Sequence, residues 1–531
     1  MLSKIVSLAI GMQLAAATVT APAHGISTPL ISVTSCAASG AGSLAAAVAS
    51  TATDTNIEFA IDCAGDTAIE LNETINIDVP INLSISAGNH AVELTRTVGF
   101  GDALISVNDS EANVTLNRLT LDGAHQENVT AQVISLGGLY LQNSNVLNSK
   151  TDVGALFQAD GSLVIDGGVF SGNSTTSADT NSAGSVVYSS GGKTTISNAR
   201  FTNNSAVDND ILYFADDVQI SQSTFHDNFS ARALVFAEQK MNLTNVAATG
   251  RAQDELSSAA NFIASDGIVR HSTFVDARAD ESILFLSLNE LSESTIDVAA
   301  TIFGGGGKDV MCDGVQDLGF NLSTSVACIS AASSAVVTSE ELDLQPLAVA
   351  ATFPTNTSSQ WVFSLGENSR AQQFVTVVNI DGWSAVTTDA RGITRGRVTR
   401  DAGAVEYTTE VVVPPTRCTS ALKSTILFAR PTSTSLTTAQ KSTIKAYVRA
   451  IAQDGCNVLY IDGFTKKFVS KTARVNVANK NLVNARIAAV RSVVASMKRA
   501  GISVIARPAR SDIAVSGKTA LQRVRLGAIS R

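Results

Sequence analysis

Aromatic and charged side chains are scarce in this chain of 531 residues. Phe, Trp and Tyr make up 5% of it and Asp, Glu, Lys and Arg 16%, whereas 45% is hydrophobic. So few aromatics argue against a large aromatic-packed globule, and the low charge with high apolar content argues against a disordered chain. Small residues dominate instead, and they suit short flat strands stacked on one another.

Metal-ligating patterns are also missing. The chain has five His and six Cys, with no Cys-x-x-Cys pair and no His at ligand spacing from a Cys, so neither a zinc site nor any other cofactor is predicted. An even number of cysteines in an exported chain favours disulfides over six reduced thiols. The predicted local pairs are Cys36 with Cys63, Cys312 with Cys328, and Cys418 with Cys456.

Long hydrophobic runs are absent beyond the N-terminus. Residues 1–23 have a short basic start, an apolar stretch and an Ala-Pro-Ala end, which is typical of a cleaved secretory signal peptide. The apolar stretch of 16 residues is shorter than the ~20 that span a bilayer, so a membrane anchor is the weaker alternative. The sequence predicts a secreted protein of the periplasm or cell surface without an integral membrane segment.

Charge is divided unevenly along the chain. Residues 415–531 have 21 Lys/Arg against three Asp, a net charge of +18, whereas residues 1–414 have 17 basic and 44 acidic side chains, a net charge of −27. We expect the basic part to bind an anionic surface or the acidic part of the same chain. A nucleic-acid partner is not predicted.

A short pattern recurs in the acidic part: an apolar residue, four mostly polar or small residues, then a second apolar residue. The second positions of successive copies are 23 to 31 residues apart. The eight copies are Leu116/Leu121, Leu141/Val146, Ile165/Phe170, Ile196/Phe201, Ile220/Phe225, Leu243/Ala248, Val269/Phe274 and Val298/Phe303.

This period predicts a mainly β protein in which residues 30–410 form a right-handed parallel β-helix. Each coil has short strands joined by bends, and its apolar pair points inward onto the next coil about 4.8 Å away. A leucine-rich repeat needs regular leucines and a helical segment, and a β-sandwich needs hairpin signals every ~8–12 residues. Neither pattern is present in the sequence.

Both ends of this segment resemble a family of bacterial surface β-helices, the choice-of-anchor Q proteins, which are pectate-lyase-like. The opening resembles them in a Cys, a Ser-Leu and an Ala-rich stretch before a strand, at residues 36–63. The closing end resembles them in Cys312–Cys328, with its Gly-x-Asn-Leu, and in Asp389–Tyr407, with its D-x-R-G-x-x-R and D-x-G-A-x-E strings. The resemblance implies a surface protein, with glycans as candidate ligands of the β-helix.

A Pro-containing linker at residues 411–416 separates a second pattern, of mixed α and β type, at residues 417–531. Apolar spacing predicts an order β-α-β-α-β-β. The predicted elements are strands Ser424–Ala429, Asn457–Phe464, Ser503–Pro508 and Leu521–Ile529 and helices Thr437–Ala452 and Asn479–Ala500.

This order resembles the OmpA-like peptidoglycan-binding domain. The matching strings are Ile461–Thr465, Asn481–Arg486 and Arg523–Arg525, and the resemblance implies that Arg486, Thr465 and Asn481 bind peptidoglycan. An arginine fork on a carboxylate is the recognition expected of Arg486. Lys466 stands where the family has an Asp, so the ammonium half of that recognition is missing, and a solvated basic face is the alternative.

Because parallel β-helices include polysaccharide lyases and hydrolases, clustered carboxylates are candidate catalytic groups. Isolated histidines and the absence of G-H-G or R-I-K strings favour a protein without enzymatic activity, with a polysaccharide-degrading or carbohydrate-binding protein as the alternative. The expected function is a cell-envelope spacer or adhesin tethered by its basic domain. The acidic candidates for an active site are Asp208, Asp210, Asp216, Asp217, Asp276, Asp280 and Glu281.

Overall fold

A computed structural model of the chain describes residues 28–123, 131–151, 154–175, 186–206, 209–230, 232–249, 261–276, 283–287, 295–305, 311–326, 328–345, 347–349, 361–376, 386–396, 398–407, 423–427, 435–453, 458–463, 485–494, 503–507 and 523–529. Within these residues the protein is mainly β, about 10% helical, and most of it is a parallel β-solenoid of about nine turns. The predicted parallel β-helix is therefore confirmed as a parallel solenoid, and its right-handed sense stays a prediction.

Three parallel sheets form the walls of the solenoid. Sheet 1 has 20 described strands: Leu30–Val33, Thr55–Phe59, Ile75–Ile77, Asn82–Ser86, Ile105–Val107, Asn113–Asn117, Val133–Ser135, Gly138–Gln142, Phe157–Ala159, Leu163–Asp166, Val187–Ser189, Thr194–Ser197, Leu212–Phe214, Val218–Ser221, Val235–Thr244, Phe262–Arg270, Ile283–Ser287, Ile296–Ala299, Met311–Asp313 and Val315–Gly319.

The other two sheets are smaller, and sheet 3 is described in four coils only. Sheet 2 has 12 described strands: Ile69–Leu71, Val92–Arg96, Leu119–Asp122, Asn145–Leu147, Val169–Ser171, Arg200–Thr202, Thr224–His226, Ala247–Thr249, Thr273–Asp276, Ile302–Gly305, Leu322–Ser323 and Ala335–Val336. Sheet 3 has four described strands: Lys150–Thr151, Ser174–Thr175, Ser205–Ala206 and Phe229–Ser230.

The eight apolar pairs predicted from the repeats lie in register from coil to coil. Ile196 of sheet 1 pairs with the equivalent residues of the coils on either side, and Phe201 of sheet 2 does the same. All sixteen side chains are at most 3% exposed. Phe170, Phe201 and Phe225 stack with centroids 4.8 and 5.2 Å apart. Most of the core is therefore built between adjacent coils, as the spacing predicts.

Asparagine amides form a second ladder inside the bend between sheets 2 and 3. Nδ2 of Asn173 donates to Oδ1 of Asn204, and Nδ2 of Asn204 donates to Oδ1 of Asn228, each at 2.9 Å. Each of these amides also donates to a main-chain carbonyl at 2.9 Å. The three side chains are at most 2% exposed, and these hydrogen bonds satisfy polar groups that burial would otherwise destabilise.

Helix Leu44–Ala49 lies at the start of the solenoid and begins at the N-cap Ser43. A 3₁₀ turn, Gly65–Thr67, follows the next strand. The disulfides Cys36–Cys63 and Cys312–Cys328 are both formed, which confirms two of the predicted pairs. Cys418 and Cys456 lie outside the described residues, as do the predicted signal peptide and the linker at 411–416.

Among the described residues of the predicted 30–410 segment, the parallel strands of the solenoid end at Val336. Helix Ser339–Leu342 is followed by two short antiparallel pairs, Ala348–Val349 with Trp361–Val362 and Val375–Thr376 with Thr399–Arg400. Leu342, Val362 and Val375 of these elements belong to a separate small hydrophobic cluster that includes outward-facing side chains of the last coils.

The described residues 361–376, 386–396 and 398–407, here called the flank segment, lie along the outside of sheet 2. The hydroxyl of Thr224 donates to the carbonyl of Trp361 at 2.7 Å, and the backbone N–H of Ala404 donates to the hydroxyl of Thr273 at 2.9 Å. These hydroxyls point away from the core because their neighbours along the strands point inward. The flank segment therefore covers sheet 2 from outside.

The flank segment also contacts the bend between sheets 1 and 2. There, successive coils place one residue each in the left-handed region, with φ between 46° and 56°. The side chains of Gln222 and Asn245 donate to main-chain carbonyls of the flank segment at 3.2 and 2.9 Å. The carbonyl of Ala300 accepts a backbone N–H of that segment at 2.8 Å. This bend row consists of Gln222, Asn245, His271 and Ala300.

In the basic part of the chain, four described strands form one mixed sheet, in the order Lys423–Leu427, Arg523–Ile529, Val458–Gly463, Ser503–Arg507. Helix Thr438–Gln453 and helical residues 485–494 lie where helices are predicted. The helix and strand positions agree with the sequence pattern, and the likeness to a particular peptidoglycan-binding domain stays a prediction.

Candidate functional site

An aromatic row on the outside of sheet 1 is the first candidate. Tyr188, Tyr213 and Phe236 are paired in register on three successive coils. Their rings stack with centroids 5.2 and 5.3 Å apart and interplanar angles of 12° and 6°. All three point away from the core, since the residues before and after each of them point into it. Tyr188 and Tyr213 are partly exposed, whereas Phe236 is 5% exposed and packs with Ala233 and Ile263. In a chain with so few aromatics, this concentration on one surface marks it as a candidate binding face.

Carboxylates border the aromatic row. The hydroxyl of Tyr213 donates to the Glu238 carboxylate, and the hydroxyl of Ser190 donates to Asp160. Burial, followed by the charges of Asp160 and Glu238, raises the pKa of Tyr188. Burial and the hydrogen bond to Glu238 raise the pKa of Tyr213 as well. Both phenols therefore stay protonated at neutral pH. The single proton of the Tyr213 hydroxyl is donated to Glu238, so this hydroxyl can only accept from a ligand, whereas Tyr188 can donate.

A cation closes the other end of the row. The guanidinium of Arg232 lies 4.0 Å from the ring centroid of Phe236, within the range of a cation–π interaction. The same group is 3.5 Å from the carboxylate of Asp210, whose side chain is 1% exposed. Aromatic rings thus succeed one another along the solenoid axis, with hydroxyl and carboxylate groups beside them. This arrangement suits hydrogen bonding to a linear ligand.

A buried cluster of ionic groups within Asp389–Tyr407 is the second candidate. The Arg395 side chain is fully buried and donates to Glu406 at 2.5 Å, to Oδ1 of Asn245 at 2.8 Å and to the carbonyl of Gly403 at 2.9 Å. Because Asn245 belongs to the bend row, this arginine joins the flank segment to the solenoid.

The remaining charges of the cluster are also engaged. Arg391 donates through Nε and Nη2 to the same oxygen of Asp389, at 2.9 and 2.8 Å, and the other oxygen accepts the backbone N–H of Arg391 and of Ile393. The Asp401 carboxylate accepts the backbone N–H groups of Gln373 and Tyr407. Groups so fully paired have no free capacity for substrate or metal, so the geometry assigns this terminal signature a structural role.

Four of the acidic candidates for catalysis lie within the described residues: Asp210, Asp216, Asp217 and Asp276. Asp210 is buried beside Arg232, and the Asp217 carboxylate accepts the backbone N–H of Lys240 at 3.2 Å. Asp208, Asp280 and Glu281 lie outside the described residues. Among the described residues, no group of three or more His, Cys, Asp or Glu is placed to hold a metal ion.

Of the residues predicted to bind peptidoglycan, Thr465 and Asn481 lie outside the described residues. Arg486 lies in the helical stretch 485–494 with a side chain that is 1% exposed. Burial lowers the pKa of its guanidinium. A ligand carboxylate therefore has to reach a covered arginine.

The sequence pattern predicted neither the aromatic row nor the role of the ionic cluster. Tyr188 and Tyr213 are 25 residues apart, which is one repeat. Their stacking on adjacent coils could therefore have been predicted from the period.

No protein-family model matches the chain, and a search of curated proteins finds no match. In the described residues, no helix is long and apolar enough to cross a membrane.

Proposed function

We propose that the protein is secreted and remains at the cell envelope, where the solenoid is an adhesive or passive spacer and the basic part is a tether. The observation that carries this proposal is the union of an elongated acidic solenoid with a segment of net charge +18. The choice-of-anchor Q resemblance of residues 30–410 and the OmpA-like order of residues 417–531 support a bacterial surface protein and peptidoglycan, or another anionic envelope polymer, as the ligand.

Cosedimentation of the mature chain with purified peptidoglycan tests the tether. We expect binding that Arg486→Ala weakens and that Arg491→Ala, which removes one positive charge from the same helix, leaves nearly unchanged. Far-UV circular dichroism of both variants separates a binding defect from a folding defect. Binding that disappears with moderate salt would be due to net charge alone, and absence of binding at low salt would contradict the tether.

Docking of the basic part on the acidic solenoid is a competing explanation for the charge division. It predicts that the radius of gyration of the whole chain, measured by small-angle scattering, increases as salt is raised, because screening weakens the attraction between the two parts. An expansion of this kind without envelope binding would favour docking.

Carbohydrate binding by the solenoid is the second candidate function, and the aromatic row favours it. A glycan array probed with the whole chain tests it, with Tyr188→Ala and Tyr213→Ala as variants. Tyr140→Ala is the matched control, because Tyr140 faces outward on the same sheet but lies outside the row. Glycan signals that neither row variant reduces would argue against this surface. Release of reducing sugars that stops on chelation would favour an enzyme.

A further inference from the structure

His271 occupies an unusual position between the solenoid and the flank segment. It is one of the bend row residues, has φ of 46° and is 2% exposed. Its ring hydrogen-bonds to the backbone of Asp401, and among the described residues its Nδ1 has no hydrogen-bond partner. Both neighbours in the row, Asn245 and Ala300, hydrogen-bond to the flank segment, so His271 lies within the contact that holds this segment in place.

Positive charges face this imidazole from both sides. Arg270 precedes it on the solenoid strand, and Arg395 and Arg400 face it from the flank segment. Arg395 donates to the carbonyl of Asp401 at 3.3 Å, the same backbone group that His271 contacts. Protonation of the ring would therefore place a fourth positive charge among three guanidinium groups.

The carboxylates nearby are already used. Glu406 accepts from Arg395, Asp389 accepts from Arg391, and Asp401 accepts two backbone N–H groups. A protonated imidazole has two N–H donors, and its Nδ1–H would lack an acceptor in the described structure. The attached flank segment thus accommodates neutral histidine and opposes the imidazolium, through charge repulsion, burial and an unmade hydrogen bond.

We propose that His271 is an acid-sensitive latch whose protonation releases the flank segment from the solenoid. Burial, followed by the charges of Arg395 and Arg400, holds the pKa of His271 well below its ordinary value while the segment is attached. Once the segment detaches, the ring becomes hydrated and its pKa returns towards about 6.5.

The detached state therefore binds the additional proton. The contribution of His271 to attachment is complete above about pH 6.5 and is lost as the pH falls below it. Well below that value each pH unit favours the detached state about tenfold, so the detached population rises about 16-fold between pH 6.5 and 5 and about 25-fold between pH 7 and 5. Burial raises the pKa of Glu406, which opposes this trend once that carboxylate starts to gain a proton, so the effect is sought between pH 7 and 5.

Hydrogen exchange of the whole chain at pH 7, 6 and 5, corrected for the intrinsic pH dependence of exchange, measures the opening directly. We expect the opening constant of amides in residues 386–396 and 398–407 to rise about 25-fold between pH 7 and 5, with core strands such as Arg200–Thr202 much less affected. His271→Asn should abolish the dependence, because asparagine tolerates a left-handed backbone and does not titrate.

His226→Asn is the matched control, since His226 lies 5.4 Å from the Trp361 ring outside the ionic cluster and its loss should leave the pH dependence intact. If His271→Asn weakens attachment at every pH, His271→Gln gives a second test. The proposal concerns how the opening constant changes with pH and not its value at neutral pH. Equal opening at pH 7 and 5 in the natural chain, or an unchanged slope in both His271 variants, would overturn the proposal.

Discussion

Replacing Arg395 by methionine is expected to loosen the flank segment from the solenoid. Besides Glu406, Asn245 and Gly403, its guanidinium contacts the carbonyls of Thr388 and Asp401, each at 3.3 Å. Methionine has a similar length and fills much of the space, so the loss is mainly one of charge and hydrogen bonds.

The expected magnitude follows from what the substitution leaves behind. The Glu406 side chain is 12% exposed and would lose its only described ion-pair partner, while Oδ1 of Asn245 would lose its donor. Removing one partner of a buried ion pair typically costs about 3 to 5 kcal/mol. Adding Glu406→Leu removes the stranded charge and should recover about 2 kcal/mol.

Urea titration followed by tryptophan emission measures this effect locally. Trp361 is a buried residue of the flank segment, so its emission, recorded in a Trp383→Phe background, reports on that segment, and far-UV circular dichroism reports on the solenoid. Arg370→Ala is the matched control, because Arg370 forms a half-exposed ion pair with Glu341 at 3.3 Å and should change stability by about 0–1 kcal/mol. An Arg395→Met variant no less stable than Arg370→Ala would refute the reasoning.

Further predictions concern the solenoid, and chemical denaturation followed by far-UV circular dichroism measures each of them. Asn204→Ala should cost about 2–4 kcal/mol, because it breaks the amide ladder and leaves buried donors and acceptors unpaired; a loss as small as that of the surface change Thr202→Ala would contradict this. Phe201→Ala should lower the free energy of unfolding by about 3–5 kcal/mol through the cavity left in the aromatic stack. An unchanged free energy of unfolding would contradict this and would mean that adjacent coils collapse to fill the cavity. Replacing Cys36 and Cys63 by alanine should cost about 3.5 kcal/mol, given their separation of 27 residues, and an unchanged midpoint under reducing and oxidising conditions would exclude this disulfide from stabilising the mature chain.

Some features of the site were within reach of sequence reasoning and others were not. The stacking of Tyr188 on Tyr213 follows from their separation of one repeat, once the period is known. The burial of Arg395 does not follow from its sequence, since arginine is usually exposed. Its partner Asn245 is 150 residues away in the chain, and no local pattern relates residues so distant.

The sequence by itself determined the solenoid, because every coil buries apolar residues at equivalent positions. These positions therefore recur in the sequence with a short period. Paired apolar residues such as Ile196 and Phe201, the bend asparagines and two of the cysteine pairs all depend on neighbours in the same or the next coil. Only the tertiary structure decided the position of the flank segment. That segment has no repeat of its own, and its contacts depend on which outward-facing side chains the coils bring side by side. The charged residues that resemble a family motif in the sequence are therefore found buried, where they hold the segment on the solenoid.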